Sequence, residues 1–169
     1  MTLKHINELS AKEAETAFYK CCGCDYWASK MAQSRPFNDG AQLHQNAEAH
    51  FSSMSREDWL QAFAAHPKIG DVESLKNKYG ATKDWAQNEQ SGVKDSSIAT
   101  IEGLAQGNKA YEEKFGYIFI VCATGKSAGE MLAILNSRLP NAPSDELHIA
   151  ADEQKKITYI RLDKLQNEQ

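Results

Sequence analysis

Several places in this sequence hold residue types whose spacing could support chemistry. Trp59, Phe63 and His66 fall at i, i+4 and i+7, which puts the imidazole on the inward stripe of one helix. Pro67 comes next and forbids that helix to continue. His66 is therefore expected at a carboxyl end, where free carbonyls and the helix dipole favour the charged ring. An imidazole at the lip of a core, titrating near neutrality, suits general acid–base work. The competing reading is a core histidine bonded to a carbonyl.

Trp85 and Glu89 are four apart, so a carboxylate follows an indole on one helical face. Apolar surroundings raise a carboxyl pKa and let it exchange protons or orient a neighbouring base; a surface Glu on a short polar helix is the plainer alternative. In the last helix Leu147, Ala151, Ile157, Thr158 and Leu165 mark the inward arc. At ~100° per residue Arg161 lies about 40° from Leu147 and Leu165, inside that arc. An inward guanidinium needs an anion, either an internal carboxylate such as Glu89 or one on a ligand. Arg138 and Lys156 read as solvated charges.

Two further constellations are weaker. Cys21, Cys22 and Cys24 with His44 and His50 invite zinc, but the stretch from Cys24 to His44 is too long for a finger. Two histidines six apart do not share a helical face. No metal site is assigned, and the thiols are expected to pack as small hydrophobes. Ala123-Thr-Gly-Lys-Ser127 imitates a phosphate loop, yet Ile120 stands where that loop needs glycine. Ser127 is expected only to cap the helix that follows.

The elements that must carry these groups are helical. Ser10 and Glu13 form a capping box for a helix to about Cys22, stopped by a left-handed Gly23. Helices follow from Tyr26 to Ser34, from Asn38 or Asp39 towards Met54, and from Ser55 to the stop at Pro67. Asp71 to Tyr79, Lys83 to Ser91, Ser96 to Phe115 and a helix from Ser127 to Pro140 come next, then a long last helix from Ser144 to about Leu165. Tyr117 to Ala123, apolar and rich in β-branched and aromatic residues, has no strand to pair with and is expected as a buried extended segment. Its backbone groups must be satisfied, and a bound polar ligand is one way to do so. The expectation is all-α: a single compact domain over 1–169 with about seven to eight helices.

Composition narrows the partners. The 169 residues carry 19 Lys and Arg against 23 Asp and Glu, a net charge of −4. Without a basic footprint, neither nucleic acid nor an anionic membrane is expected as a partner. The longest apolar run is far short of the ~20 residues a spanning helix needs. The first eight residues have no apolar stretch of the secretory kind and already carry Glu8. Three of the four cysteines crowd between Cys21 and Cys24, a poor framework for disulfides. A cytoplasmic protein is expected.

Taken together, the segments resemble a known family, the OHCU (2-oxo-4-hydroxy-4-carboxy-5-ureidoimidazoline) decarboxylases of urate breakdown. The resemblance rests on Trp59-Leu-Gln-Ala-Phe63, His66-Pro-Lys-Ile-Gly-Asp71, Glu89-Gln-Ser-Gly92, Phe119-Ile-Val-Cys-Ala123 and Arg161-Leu162, in order along nearly the whole chain. It implies an all-helical carboxy-lyase without cofactor, commonly a homodimer, that removes CO2 from OHCU to give (S)-allantoin. It also implies His66 as the acid–base group, with Glu89 and Arg161 as its catalytic companions. Pro67, Gln90 and the backbone of Ile120, Val121, Cys122, Ala123 and Thr124 would line the substrate site. Ala86 stands where Ser is frequent in the family, so Gln87 is a candidate to supply the missing hydrogen bond, and Asn88 belongs to the same binding stretch. The reading from a different class is a helical module that binds a small anion without catalysis.

Overall fold

A computed structural model describes residues 1–68, 71–79 and 94–167. Among the described residues there are nine helices and no strand, so the all-α expectation holds. The expected helix from Lys83 to Ser91 lies outside them. Contacts divide the chain into two compact units, Met1–His66 with Ala150–Gln169, and Pro67–Ile149.

The first unit holds α1 (Leu3–Glu8), α2 (Ala11–Cys21), α3 (Asp25–Gln33), α4 (Gly40–Ser52), α5 (Arg56–Ala64) and most of α9 (Pro143–Asn167). The punctuation works as the sequence suggests. Ser10 and Glu13 exchange bonds across the start of α2, and Ser55 and Asp58 do so for α5. Asp39 accepts from the Gln42 amide to open α4. α1, which the sequence reading did not contain, is capped by Thr2 and buries only Ile6. Phe18, Trp27, Met31, Leu43, Phe63 and Leu162 are fully buried, each contributing about 1.5–3 kcal/mol of hydrophobic stabilisation. The Trp27 indole donates to the Ala47 carbonyl at 3.1 Å.

Gly23 departs from expectation. Positive φ is confined to Gly116 and Gly125 among the described glycines, and α2 ends through an extended Cys22 instead. What Gly23 provides is space: a Cβ there would lie 2.3 Å from that of Ala65. Its missing side chain lets the turn after α2 close on the turn after α5, one residue before His66.

The second unit holds α6 (Val72–Tyr79), α7 (Lys94–Phe115), α8 (Ala128–Arg138) and the first residues of α9. Leu75, Ile101, Leu104, Tyr111, Met131 and Leu135 form its core. A Cβ on Gly103 would meet Leu132 at 3.1 Å, and one on Gly107 would meet Leu135 at 2.5 Å. Two glycines one turn apart thus let α8 pack close against α7. Gly116, at φ +86°, ends α7 in the left-handed region that glycine tolerates. Residues 117–123 then run as neither helix nor strand.

Candidate functional site

In the first unit, His66 sits just past α5, its amide donating to the Phe63 carbonyl at 3.3 Å. The ring is half-buried, and its Nε2 lies 2.6 Å from Oε1 of Gln154. Placement at the helix end is as expected; the expected charge is not. Burial lowers the His66 pKa below its ordinary 6.5; the Gln154 hydrogen bond works the other way, and the positive charge of Arg161 adds to the lowering. Desolvation and a like charge outweigh that hydrogen bond, so the ring is neutral near pH 7.

Gln154 was not foreseen as a functional residue, although its position is legible. It lies seven residues after Leu147 and four before Thr158, on the same apolar stripe. A polar residue on such a stripe is buried and must find partners. Gln154 is fully buried and Thr158 nearly so. The Gln154 Nε2 reaches Thr158 Oγ1 at 3.2 Å, and Thr158 Oγ1 donates to the Gln154 carbonyl at 2.8 Å.

Arg161 lies one turn further along α9 and is half-buried. Its Nη1 makes long contacts, 3.4 Å and 3.5 Å, with the carbonyls of Lys20 and Cys21 at the end of α2. A guanidinium is favoured there by the free carbonyls and the dipole. Among the described residues no carboxylate pairs with it. The structure thus brings His66 and Arg161 into one electrostatic neighbourhood. Glu89 lies outside the described residues, as do Ala86, Gln87, Asn88 and Gln90.

The cysteine cluster belongs to packing. Cys21, Cys22 and Cys24 are buried thiols outside any disulfide, and burial pushes Cys22 up to about 12. The two histidines considered with them are engaged elsewhere, His44 with Asp163 at 2.8 Å and His50 with Ser34 at 2.7 Å. Among the described residues no group of three His, Cys, Asp or Glu could hold a metal ion.

Of the remaining expected binding residues, all in the second unit, Pro67 is exposed, Ile120 and Cys122 are buried, Val121 and Ala123 half-buried, and Thr124 exposed. Two carbonyls of this run are met by cationic side chains, Ile120 by Arg138 Nη1 at 2.8 Å and Cys122 by Lys126 Nζ at 2.7 Å. The phosphate-loop look-alike is a tight turn: the Lys126 amide donates to the Ala123 carbonyl at 3.1 Å, with Gly125 at φ +74°. Ser127 caps α8 by accepting from the Glu130 amide.

Arg138 corrects the sequence reading. Far from solvated, it is 6% exposed, and its partner Glu146 is fully buried. Its Nε donates to both Glu146 carboxylate oxygens, at 3.1 Å and 2.9 Å, and Nη2 reaches Oε2. The Tyr111 hydroxyl donates to the same carboxylate. The guanidinium also lies 4.6 Å from the centre of the Phe119 ring. Burial opposes the charge on Arg138, but Glu146 and Tyr111 outweigh it and its pKa rises. The signal was present: Met131, Leu135 and Arg138 repeat the i, i+4, i+7 spacing that placed His66 inward.

Comparison with known proteins extends the picture. A sequence model of the family described as OHCU decarboxylase matches residues 7–163. The uric acid degradation bifunctional protein TTL of Arabidopsis thaliana is 37% identical over 86% of this chain. The chain spans 45% of the length of that relative. The 2-oxo-4-hydroxy-4-carboxy-5-ureidoimidazoline decarboxylase of Haloferax volcanii is 27% identical, over 96% of this chain and 94% of its own. A crystal structure of OHCU decarboxylase in the presence of (S)-allantoin superposes with a TM-score of 0.72 at 36% identity, covering 89% of this chain and 97% of the other.

Proposed function

Because the chain belongs to the OHCU decarboxylase family, we propose that it removes CO2 from OHCU to give (S)-allantoin, with His66 carrying the proton and Arg161 holding the anionic substrate. The observation that supports these roles is a half-buried imidazole kept neutral beside a guanidinium that has no carboxylate partner among the described residues. Such a cation is poised for a substrate carboxylate.

The substrate itself supplies the electron sink. OHCU carries a hydroxyl and a carboxylate on one ring carbon, next to a C=N unit. When the bond to CO2 breaks, its electron pair forms a carbon–carbon double bond, and the C=N electrons move onto nitrogen, which takes a proton from solvent. The hydroxyl then loses its proton to become a carbonyl, and the neighbouring ring carbon gains one. A neutral imidazole can take the first of these protons and return one to a single face of that carbon, fixing the S hand. In this reading Glu89 orients the polar groups of the substrate ring and, through them, its alignment with His66. Pro67, Ala86, Gln87, Asn88, Gln90 and the backbone of Ile120, Val121, Cys122, Ala123 and Thr124 are substrate-binding positions.

The same reading makes the chain one functional domain, since the family match runs through both units. It acts without a cofactor, in the cytoplasm and as a homodimer, with neither nucleic acid nor membrane as partner. The acidic charge balance supports the last point, and no described helix is long and apolar enough to cross a membrane. Sedimentation velocity at micromolar concentration tests the dimer.

The activity is tested by mixing the protein with urate, urate oxidase and hydroxyisourate hydrolase and following circular dichroism. One allantoin enantiomer should form well ahead of the control without protein. A slow racemic product matching that control would leave only a module that binds small anions.

A further inference from the structure

A neutral imidazole carries one proton on one of two nitrogens, and which nitrogen is free decides where it can act as a base. Around His66 the hydrogen bonds settle this by elimination. Thr158 has a single hydroxyl proton, and Oγ1 donates it to the Gln154 carbonyl at 2.8 Å. Towards the Gln154 side chain, 3.2 Å away, that oxygen can therefore only accept. An amide donates only through its NH2, so Nε2 faces Thr158 and Oε1 faces His66. Oε1 can only accept, so the His66 Nε2 at 2.6 Å must be the nitrogen that bears hydrogen.

We propose that Gln154 and Thr158 are positioning residues that hold His66 in its Nε2–H tautomer and so make Nδ1 the working base. This rests on the reading of His66 as the proton carrier. Cys22 is also hydrogen-bonded with Thr158, but burial keeps it a protonated thiol, whose sulfur is a far weaker acceptor for the Thr158 hydroxyl than the Gln154 carbonyl. In this tautomer Nδ1 carries the lone pair, and among the described residues only Nε2 of the ring has a hydrogen-bond partner. In turnover Nδ1 takes the hydroxyl proton, the ring becomes an imidazolium with Nε2 still donating to Oε1, and Nδ1 then gives a proton to carbon. Because the amide accepts from Nε2 in both protonation states, the ring keeps one orientation throughout. An uncharged amide achieves this without the large rise in imidazole pKa that a carboxylate would bring.

The test is long-range proton–nitrogen correlation spectroscopy on the full chain, 15N-labelled, at a pH where His66 is neutral. The His66 signals are assigned by their loss in His66→Gln. Wild type should show a protonated Nε2 and an unprotonated Nδ1. Thr158→Val, nearly equal in shape, frees the amide to turn; it should give a mixture of tautomers and lower kcat at least ~10-fold with little change in KM, within the usual range for acid–base contributions. Thr158→Ser should restore both. Gln154→Glu should keep the tautomer and move the acid limb of the pH–rate profile upward. A protonated Nδ1 in wild type would overturn the proposal, as would a tautomer unchanged in both Thr158→Val and Gln154→Leu. The spectrum decides the tautomer without reference to turnover. Full activity in His66→Ala would instead defeat the proton-carrier role, so the two ideas fail separately.

Discussion

At the scale of single residues, the site depends on a contest between burial and charge at His66. Burial and Arg161 lower its pKa from 6.5 against the pull of Gln154, so the ring stays neutral further into acid than a free imidazole. His66→Ala should lower turnover of freshly generated OHCU by ~10²–10⁴-fold, the usual acid–base contribution, with an unchanged far-ultraviolet spectrum. For wild type the acid limb of kcat/KM should fall below pH 6.5, since the working form is unprotonated. Arg161→Ala should raise KM, as expected of a group that binds the substrate anion. It should also remove the cation that disfavours imidazolium, moving the acid limb upward in pH. A variant with unchanged KM and an unmoved limb would assign Arg161 to the α2 carbonyls alone.

At the scale of elements, the second unit ties the irregular run 117–123 to a buried charge pair through the Ile120 carbonyl. Glu146→Gln leaves Arg138 with a neutral partner in a dry site, so urea unfolding should show a loss approaching the ~3–5 kcal/mol of a broken buried pair. The double replacement Arg138→Met with Glu146→Leu should recover much of that loss, yet raise KM because the Ile120 carbonyl loses its donor. Gly23→Ala should destabilise by about 1–3 kcal/mol, since its Cβ meets a Cβ of Ala65 that no rotamer can move. Gly107→Ala should cost less, because its nearest neighbour is the end of the Leu135 side chain. These contacts also mark where the sequence stopped being readable. Helix starts are local, a hydroxyl or carboxylate three residues before an amide, and Ser10, Asp39, Ser55 and Ser127 were all legible. α1 was not, since one buried residue makes no periodic pattern. His66 was legible because Phe63 and Trp59 shared its stripe; Arg138 and Gln154 sat on equally apolar stripes, but charge and polarity disguised their burial. Gly23 misled because left-handed turns are visible in a sequence, whereas the approach of Ala65 from far along the chain is not.

At the scale of the whole molecule, the same desolvation that prepares His66 sets how stability responds to acid. Burial lowers the pKa of His50 as well, with Lys30 adding to the effect. For both rings, the unfolded chain takes a proton near 6.5 that the folded chain still refuses. Stability rises with pH wherever the unfolded state binds more protons. Their contribution is therefore complete above about pH 6.5 and is lost as pH falls through that value towards the lowered ones. Glu13 and Asp71 act with the same sign in a more acid window, because helix-cap hydrogen bonds, to Ser10 and Ser74 in turn, lower carboxylate pKa values that start at 4.5 and 3.8. They take effect only in stronger acid. Urea midpoints should thus fall between pH 7.5 and pH 5.5, and His66→Gln combined with His50→Gln should flatten that slope. If the double variant keeps the wild-type slope, the acid sensitivity arises in other groups and His66 is not the strained titrating residue that its burial implies. A slope flatter in the double variant than in His50→Gln alone would place part of the chain's acid sensitivity in the ring assigned to proton transfer.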